Sequence, residues 1–299
     1  MTAGVLPPAR RLWDVLEPIA ASVYFAPEVH RAYEAVGHGG PSRTVDGVEY
    51  PNGLAYFTSR GACLGDGVSG HVIASAFGVF KRPMVIDAVD AGWRIADGPT
   101  IVAARDAGMV ASLTRILGAP NMPDAPDGLD WATGVLKRMA DAAPSEGRAL
   151  SAGLRSLGYP GSPMGDFWRS GDIVREHRGD CHIAAWIGAD LDATEIGLLT
   201  DPWRGQPLRG WVRSRGWTED ELDAACDRLR SRGLLDGDAL SDAGRTLRES
   251  IESHTDAMQR RVIDALGDDD ERFFALLDGW SKKVIDARAY PARVAWPSP

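Results

Sequence analysis

Eight consecutive residues, Arg175-Glu176-His177-Arg178-Gly179-Asp180-Cys181-His182, carry seven polar or ionisable side chains beside clearly apolar sequence. A histidine moves protons near neutral pH, an arginine holds a carboxylate or enolate oxygen, and an aspartate fixes an imidazole tautomer. The stretch therefore supplies groups for acid–base chemistry on an anion. His182, His177, Asp180 and Glu176 are the candidate catalytic residues, Arg178 the anion holder and Trp168 a wall of the pocket. Two local geometries bring them together. If Gly179 breaks the helix and Asp180 caps the next one, His182 falls in a first turn whose free N–H groups favour an anion. If the helix is continuous, Glu176 shares a face with Asp180, His177 with Cys181, and Arg178 with His182. A buried ion-pair and capping network between helices uses the same residue types.

A second candidate surface lies on the first helix and its sequel: Arg11, Trp13, Glu17, Tyr24, Glu28 and His30. Tyr24 with Glu28 one turn later gives an aromatic wall and a carboxylate, although core packing plus a surface acid is the commoner meaning. Gly65-Asp66-Gly67-Val68-Ser69-Gly70 matches GxGxxG, but no parallel βαβ unit surrounds it, so a dinucleotide reading is refused. It leaves Ser69 as a helix cap with His71 just inside, a weaker anion-binding candidate. His177 and His182 are five apart, and neither HExxH nor a His/Cys ladder occurs, so no metal and no cofactor are expected. Cys181 beside His177 or His182 has the makings of a nucleophile, whereas Cys63 and Cys226 read as packing residues.

The elements that must position these groups are mostly helices. Leu12, Leu16 and Ile19 recur at helical spacing with Pro18 as an interruption, and further apolar periodicity runs over 72–89, 101–117, 131–143, 148–157, 166–177 and 182–191. The breaker-rich stretch Gly37 to Gly53 reads as a long loop. Pro120, Pro123 and Pro126 make a stiff connection between helical halves 1–117 and 130–200, which a weak repeat relates: His71 and His182 each follow an aromatic pair by 15 residues. From about Arg209 the pattern becomes Thr218/Glu221 capping box, helix, Gly233, Leu234-Leu235, an Asp236-Gly237 turn and a helix from Ser241, which describes a winged helix-turn-helix. The expected architecture is mainly α, with a helical region over 1–200, a winged helix over 201–299, and a sheet that is little more than the wing hairpin.

Composition narrows the function. A 299-residue chain with 44% hydrophobic and 25% charged residues is ordinary globular material, and no apolar run approaches a membrane span. Prolines and paired arginines stand where a signal peptide has its apolar core, and three scattered cysteines make no disulfide or zinc framework, so a cytoplasmic protein is expected. A net charge of -9 opposes attraction to phosphate backbones or anionic membranes.

The segment ELDAACDRLRSRGLLDGDALSDAGRTLRESIESHTD resembles MarR-like winged helices. With RRLWDVLEPIAASVYFAPE at 10–28, REHRGDCH at 175–182 and RGWTEDELDAACDRLRSRGLL, the whole chain resembles an actinobacterial family of largely unassigned function that joins a helical N-terminal region to such a module. The resemblance implies a glycine where Cys181 stands, and it loosens around residues 37–55 and 118–130. MarR-like modules usually dimerise, and Phe273, Phe274, Leu277 and Trp280 offer an apolar stripe for a homodimer. A DNA-reading helix needs cations and amides facing the groove. Here that helix begins with Glu219, Asp220, Glu221, Asp223 and Asp227, and residues 201–299 hold 16 Lys/Arg against 19 Asp/Glu, so DNA is an unlikely partner. The leading expectation is an acid–base enzyme acting on a small organic anion. The competing ones are a ligand-responsive transcription regulator and a non-catalytic binding protein.

Overall fold

The computed structural model describes residues 6–120 and 126–292. The first helix, α1 (Pro8–Ala20), starts on a proline whose missing N–H is no loss at a helix N-terminus, runs through Pro18, and tightens into a 3-10 turn over Ala21–Tyr24. After α2 (Pro27–Ala35) the expected long loop is instead a hairpin, β1 (Arg43–Val45) against β2 (Val48–Tyr50), with Val45 opposite Val48. Asp46 and Gly47 both take positive φ, 51° and 79°, the conformation an Asp-Gly two-residue turn favours. The alternation in RTVDGVEY was the overlooked signal.

Four helices follow: α3 (Gly53–Gly61), α4 (Gly70–Phe77), α5 (Arg82–Gly92) and α6 (Gly98–Leu117). Beyond the connection, whose Pro123 lies outside the described residues, come α7 (Leu129–Ala142), α8 (Ala149–Ser156) and α9 (Pro163–Gly188). Capped by the Ser162 hydroxyl, α9 spans 26 residues without a break at Gly179. Of the two geometries the sequence allowed, the continuous helix is the one formed, and Asp180 caps no new helix within it. The suggested repeat has no counterpart here, since His71 opens an eight-residue helix and His182 sits deep inside a long one.

The last part holds α10 (Ala193–Trp203), a 3-10 turn over Val212–Arg215, α11 (Glu219–Ser231), the hairpin β3 (Leu235–Asp236) with β4 (Ala239–Leu240), and α12 (Asp242–Met258). The capping box of Thr218 with Glu221 forms as the spacing requires. Gly244 lets α12 start against the wing, because a Cβ there would stand 2.0 Å from the Leu234 carbonyl oxygen. The chain ends in α13 (Arg260–Asp264) and α14 (Asp270–Asp286). The fold is mainly α with two small hairpins.

Two apolar clusters organise it. The smaller joins Trp186, Leu198, Trp203, Leu222, Leu229, Leu240 and Ile251, the core of the winged helix together with the end of α9. The larger holds the N-terminal helices and also Val262, Phe273, Phe274, Leu277, Trp280 and Val284. The return of α14 to α1 departs from the expected boundary at residue 200, with Trp280 meeting Phe167 edge-on at 5.2 Å. The stripe that suggested a dimer is thus covered within its own chain. An amphipathic stripe shows that a helix buries one face, not which partner covers it.

Candidate functional site

Burial along α9 defines the site's floor. Between Phe167 and Cys181 only Arg175 and Gly179 keep solvent access, and His182 and Ile183 extend that stripe one turn further. Residues at i, i+4 and i+7 lie on one helix face, so Arg175, Gly179 and His182 look the same way.

Beside Arg175, the Glu176 carboxylate is buried and held by three groups. Arg60 on α3 grips both oxygens at 2.9 and 2.8 Å, Arg175 donates at 2.7 Å, and the Tyr24 hydroxyl donates at 3.4 Å. Burial pushes this carboxyl up, but the two guanidinia outweigh burial and hold it well below the usual carboxylate range. Burial, and then the Glu176 charge, raise Tyr24 and keep its phenol protonated. Arg60 also donates to the Tyr56 hydroxyl at 3.2 Å and lies 4.5 Å over the Phe77 ring, while Arg175 pairs with Glu17 at 2.7 Å.

Tyr56 packs on Phe80, and Phe80 carries a further guanidinium, that of Arg215, at 4.5 Å. Arg215 ends the 3-10 turn of the winged helix and stacks 3.9 Å from the Trp211 ring centre. Among the described residues no carboxylate forms an ion pair with it. Crowding by surrounding protein lowers its pKa to about 10; Tyr56 and the Asp201 carboxylate oppose this only in part, and the nearby Arg60 and Arg175 add to it. The turn is fixed from behind: buried Asp201 accepts from the backbone N–H groups of Trp211 and Val212, and Lys81 N–H donates to the Arg215 carbonyl.

On the other flank of the floor, Arg178 pairs with Glu252 of α12, which also holds Arg248 at 2.8 Å. His182 Nδ1 lies 3.1 Å from the Thr255 hydroxyl, and its Nε2 has no partner among the described residues. Burial, then the charges of Arg248 and Arg178, lower the His182 pKa to about 3, so the ring is neutral at pH 7.

The structure thus brings Glu176 to Tyr24, and Arg178 to His182, on neighbouring stretches of one helix. It separates the others. Asp180 accepts from Ser151 N–H at 3.0 Å, capping the first turn of α8, and burial raises its pKa to about 7. His177 is sealed against Gln259 at 2.9 Å, with Cys181 3.9 Å away, and burial lowers its pKa to about 4. Trp168 is core rather than pocket wall: it is 1% exposed and donates to the Ala20 carbonyl. Glu28 does not join Tyr24, because it turns to Arg115 of α6 at 2.5 Å. His71 is exposed, with Ser69 capping its helix as expected, and shares no hydrogen bond or ion pair with the α9 groups among the described residues. Burial raises the Cys181 thiol, which argues against a nucleophile. Among the described residues no group of three or more His, Cys, Asp or Glu could hold a metal ion, and no helix is long and apolar enough to cross a membrane.

Sequence reasoning missed Arg60, Arg215, Tyr56 and Glu252, which come from α3, a 3-10 turn and α12. The spacing of Tyr56 and Arg60 at i, i+4 was visible, but an exposed i, i+4 pair and a site pair look alike without the partner helix. Elsewhere, an open groove along α6 is lined by Ala103, Ala107, Val110 and Ala111, and its charged residues Asp106 and Arg115 are engaged by Arg169 and Glu28.

The winged helix faces its own chain. Lys81 pairs with Glu221 at 2.8 Å, Trp217 Nε1 donates to the Val79 carbonyl, and a Cβ on Gly216 would strike the Met84 sulfur at 2.7 Å. The start of α11, the helix in the DNA-reading position, is therefore docked on residues 79–84. The profile of a helix-turn-helix family matches residues 9–291. The chain belongs to that helix-turn-helix family. Searches of curated proteins and of solved structures found no match. The family match covers the helical body as well as the winged module.

Proposed function

We propose that this helix-turn-helix protein binds a small organic anion in the cleft between its helical body and a MarR-like winged helix, and acts on it by acid–base chemistry. The observation that carries the reading is Arg215. Its guanidinium, partly accessible between Phe80 and the exposed Trp211 and close to Arg60 and Arg175, has no ion-paired carboxylate among the described residues, and the more distant Asp201 offsets only part of its charge, so the site favours a bound anion. Arg60 and Arg175 are already neutralised in part by Glu176 and Glu17, so the excess sits on the Arg215 side.

His182 is the proton acceptor of this reading. Free of ligand it is too weak a base, because burial and two cations hold it near pKa 3. An anion bound in the cleft adds negative charge near the ring and raises the imidazole pKa from about 3 towards neutral pH, so binding itself strengthens the base. The ligand-responsive regulator is the second reading, favoured by the helix-turn-helix family; the acidic, self-docked start of α11 weighs against it.

Calorimetric titration with benzoate tests the binding step: saturable binding by the full chain that Arg215→Leu removes supports it, and benzoate binding unchanged in that variant contradicts it. A salt-steep, sequence-specific complex with duplex DNA gives the regulator precedence.

A further inference from the structure

The glycines of α9 differ in what surrounds them. A Cβ on Gly171 would press on Leu16 at 3.0 Å, and one on Gly165 would strike the Ser162 hydroxyl at 2.7 Å, so packing explains both. Packing does not explain Gly179. A Cβ there meets only the Glu176 Oε2, at an ordinary 3.5 Å, and no other atom outside its own helix backbone and its chain neighbours within 4 Å. A helix-interior glycine weakens its helix relative to alanine, and this one sits in a long helix whose neighbours are almost all buried.

The empty position lies midway along the accessible stripe. Arg175 stands one turn before it and His182 one turn after, roughly 10 Å apart along the axis. That span suits two fused six-membered rings. The groups around the Arg175 end of the stripe are flat: the Arg60 guanidinium that grips Glu176, the Tyr56 ring bonded to it, and the Arg215 guanidinium on Phe80, which packs on Tyr56. Guanidinium planes and phenol rings favour π surfaces over thick aliphatic ones.

We propose that the ligand is a flat aromatic acid whose ring system lies across Gly179, with its acidic group turned to Arg215, and that the missing side chain at position 179 sets the thickness of ligand admitted. This rests on the cleft being an organic-anion site.

The test is calorimetric titration of the full chain with 2-naphthoate and with decahydro-2-naphthoate, which has the same charge and length but is thicker. Wild type is expected to bind 2-naphthoate at least tenfold more tightly. Gly179→Leu should lose at least tenfold of that affinity with an unchanged or raised melting temperature, and Gly179→Ala should lose less. Gly134→Leu, an equivalent change in α7 where an added Cβ meets nothing within 4 Å, should leave binding as it was. Equal affinities for the two acids, or 2-naphthoate binding indifferent to both Gly179 variants, overturn the inference while the anion site stands if Arg215→Leu still removes binding. Failure of both acids to bind wild type overturns the site and the inference together.

Discussion

The guanidinium of Arg215 stacks on Trp211, 3.9 Å from the ring centre, in a turn that buried Asp201 fixes through two backbone N–H groups. An exposed arginine gains little from such support. A crowded cation with no ion-paired acid among the described residues is costly even when partly accessible, so a rigid cradle for one points to a role outside folding.

That cost gives the first prediction. Arg215→Leu removes a desolvated charge and retains apolar contact with Phe80 and Trp211, so it should raise the melting temperature by a few degrees, about 1 kcal/mol. The same variant should lose roughly thirtyfold in anion affinity, the size of a lost charge-assisted hydrogen bond. Thermal melts and calorimetry on one preparation measure both.

Glu176 behaves in the opposite way. It is 2% exposed and neutralises Arg60 and Arg175 together. Glu176→Gln leaves two guanidinia short of a carboxylate in the interior, and a loss of about 3 kcal/mol in chemical denaturation is expected.

Asp180 provides a pH signature. Its folded pKa near 7 lies above the ordinary 3.8, so between these values the folded state keeps a proton that the unfolded state has released. Stability from this group is therefore full below about pH 4, falls as pH rises towards 7, and is flat above. Asp180→Asn keeps an acceptor for Ser151 N–H without the charge. It should melt higher than wild type at pH 8, with the advantage vanishing near pH 4.

How far the sequence went is clearest at α9 and α14. The polar density from Arg175 to His182 was visible because charged residues interrupted an apolar pattern, and both possible geometries were available from helical spacing. What spacing does not contain is the partner: Asp180 capping α8, His177 facing Gln259 and Arg178 reaching Glu252 all depend on helices far along the chain. The winged helix was legible because its capping box and Asp-Gly wing turn are local. The first hairpin carries an equally local Asp-Gly signal, hidden by surrounding glycines. For α14 the stripe was correct and its destination was not.

That destination is testable through Trp280, 4% exposed and set against Phe167. Trp280→Ala should cost about 3–5 kcal/mol, as for a large aromatic cut out of a core. A stripe serving mainly as a subunit interface would instead show a change in mass by light scattering with the fold intact.

The central claim is that an organic anion binds between the winged helix and α9 on Arg215, which has no ion-paired carboxylate among the described residues. The most direct measurement is a crystal structure of the protein soaked with 2-naphthoate. The account predicts a carboxylate within hydrogen-bond distance of the Arg215 guanidinium and a ring over Gly179. An empty cleft at saturating soak, or the acid bound only along the α6 groove, contradicts it.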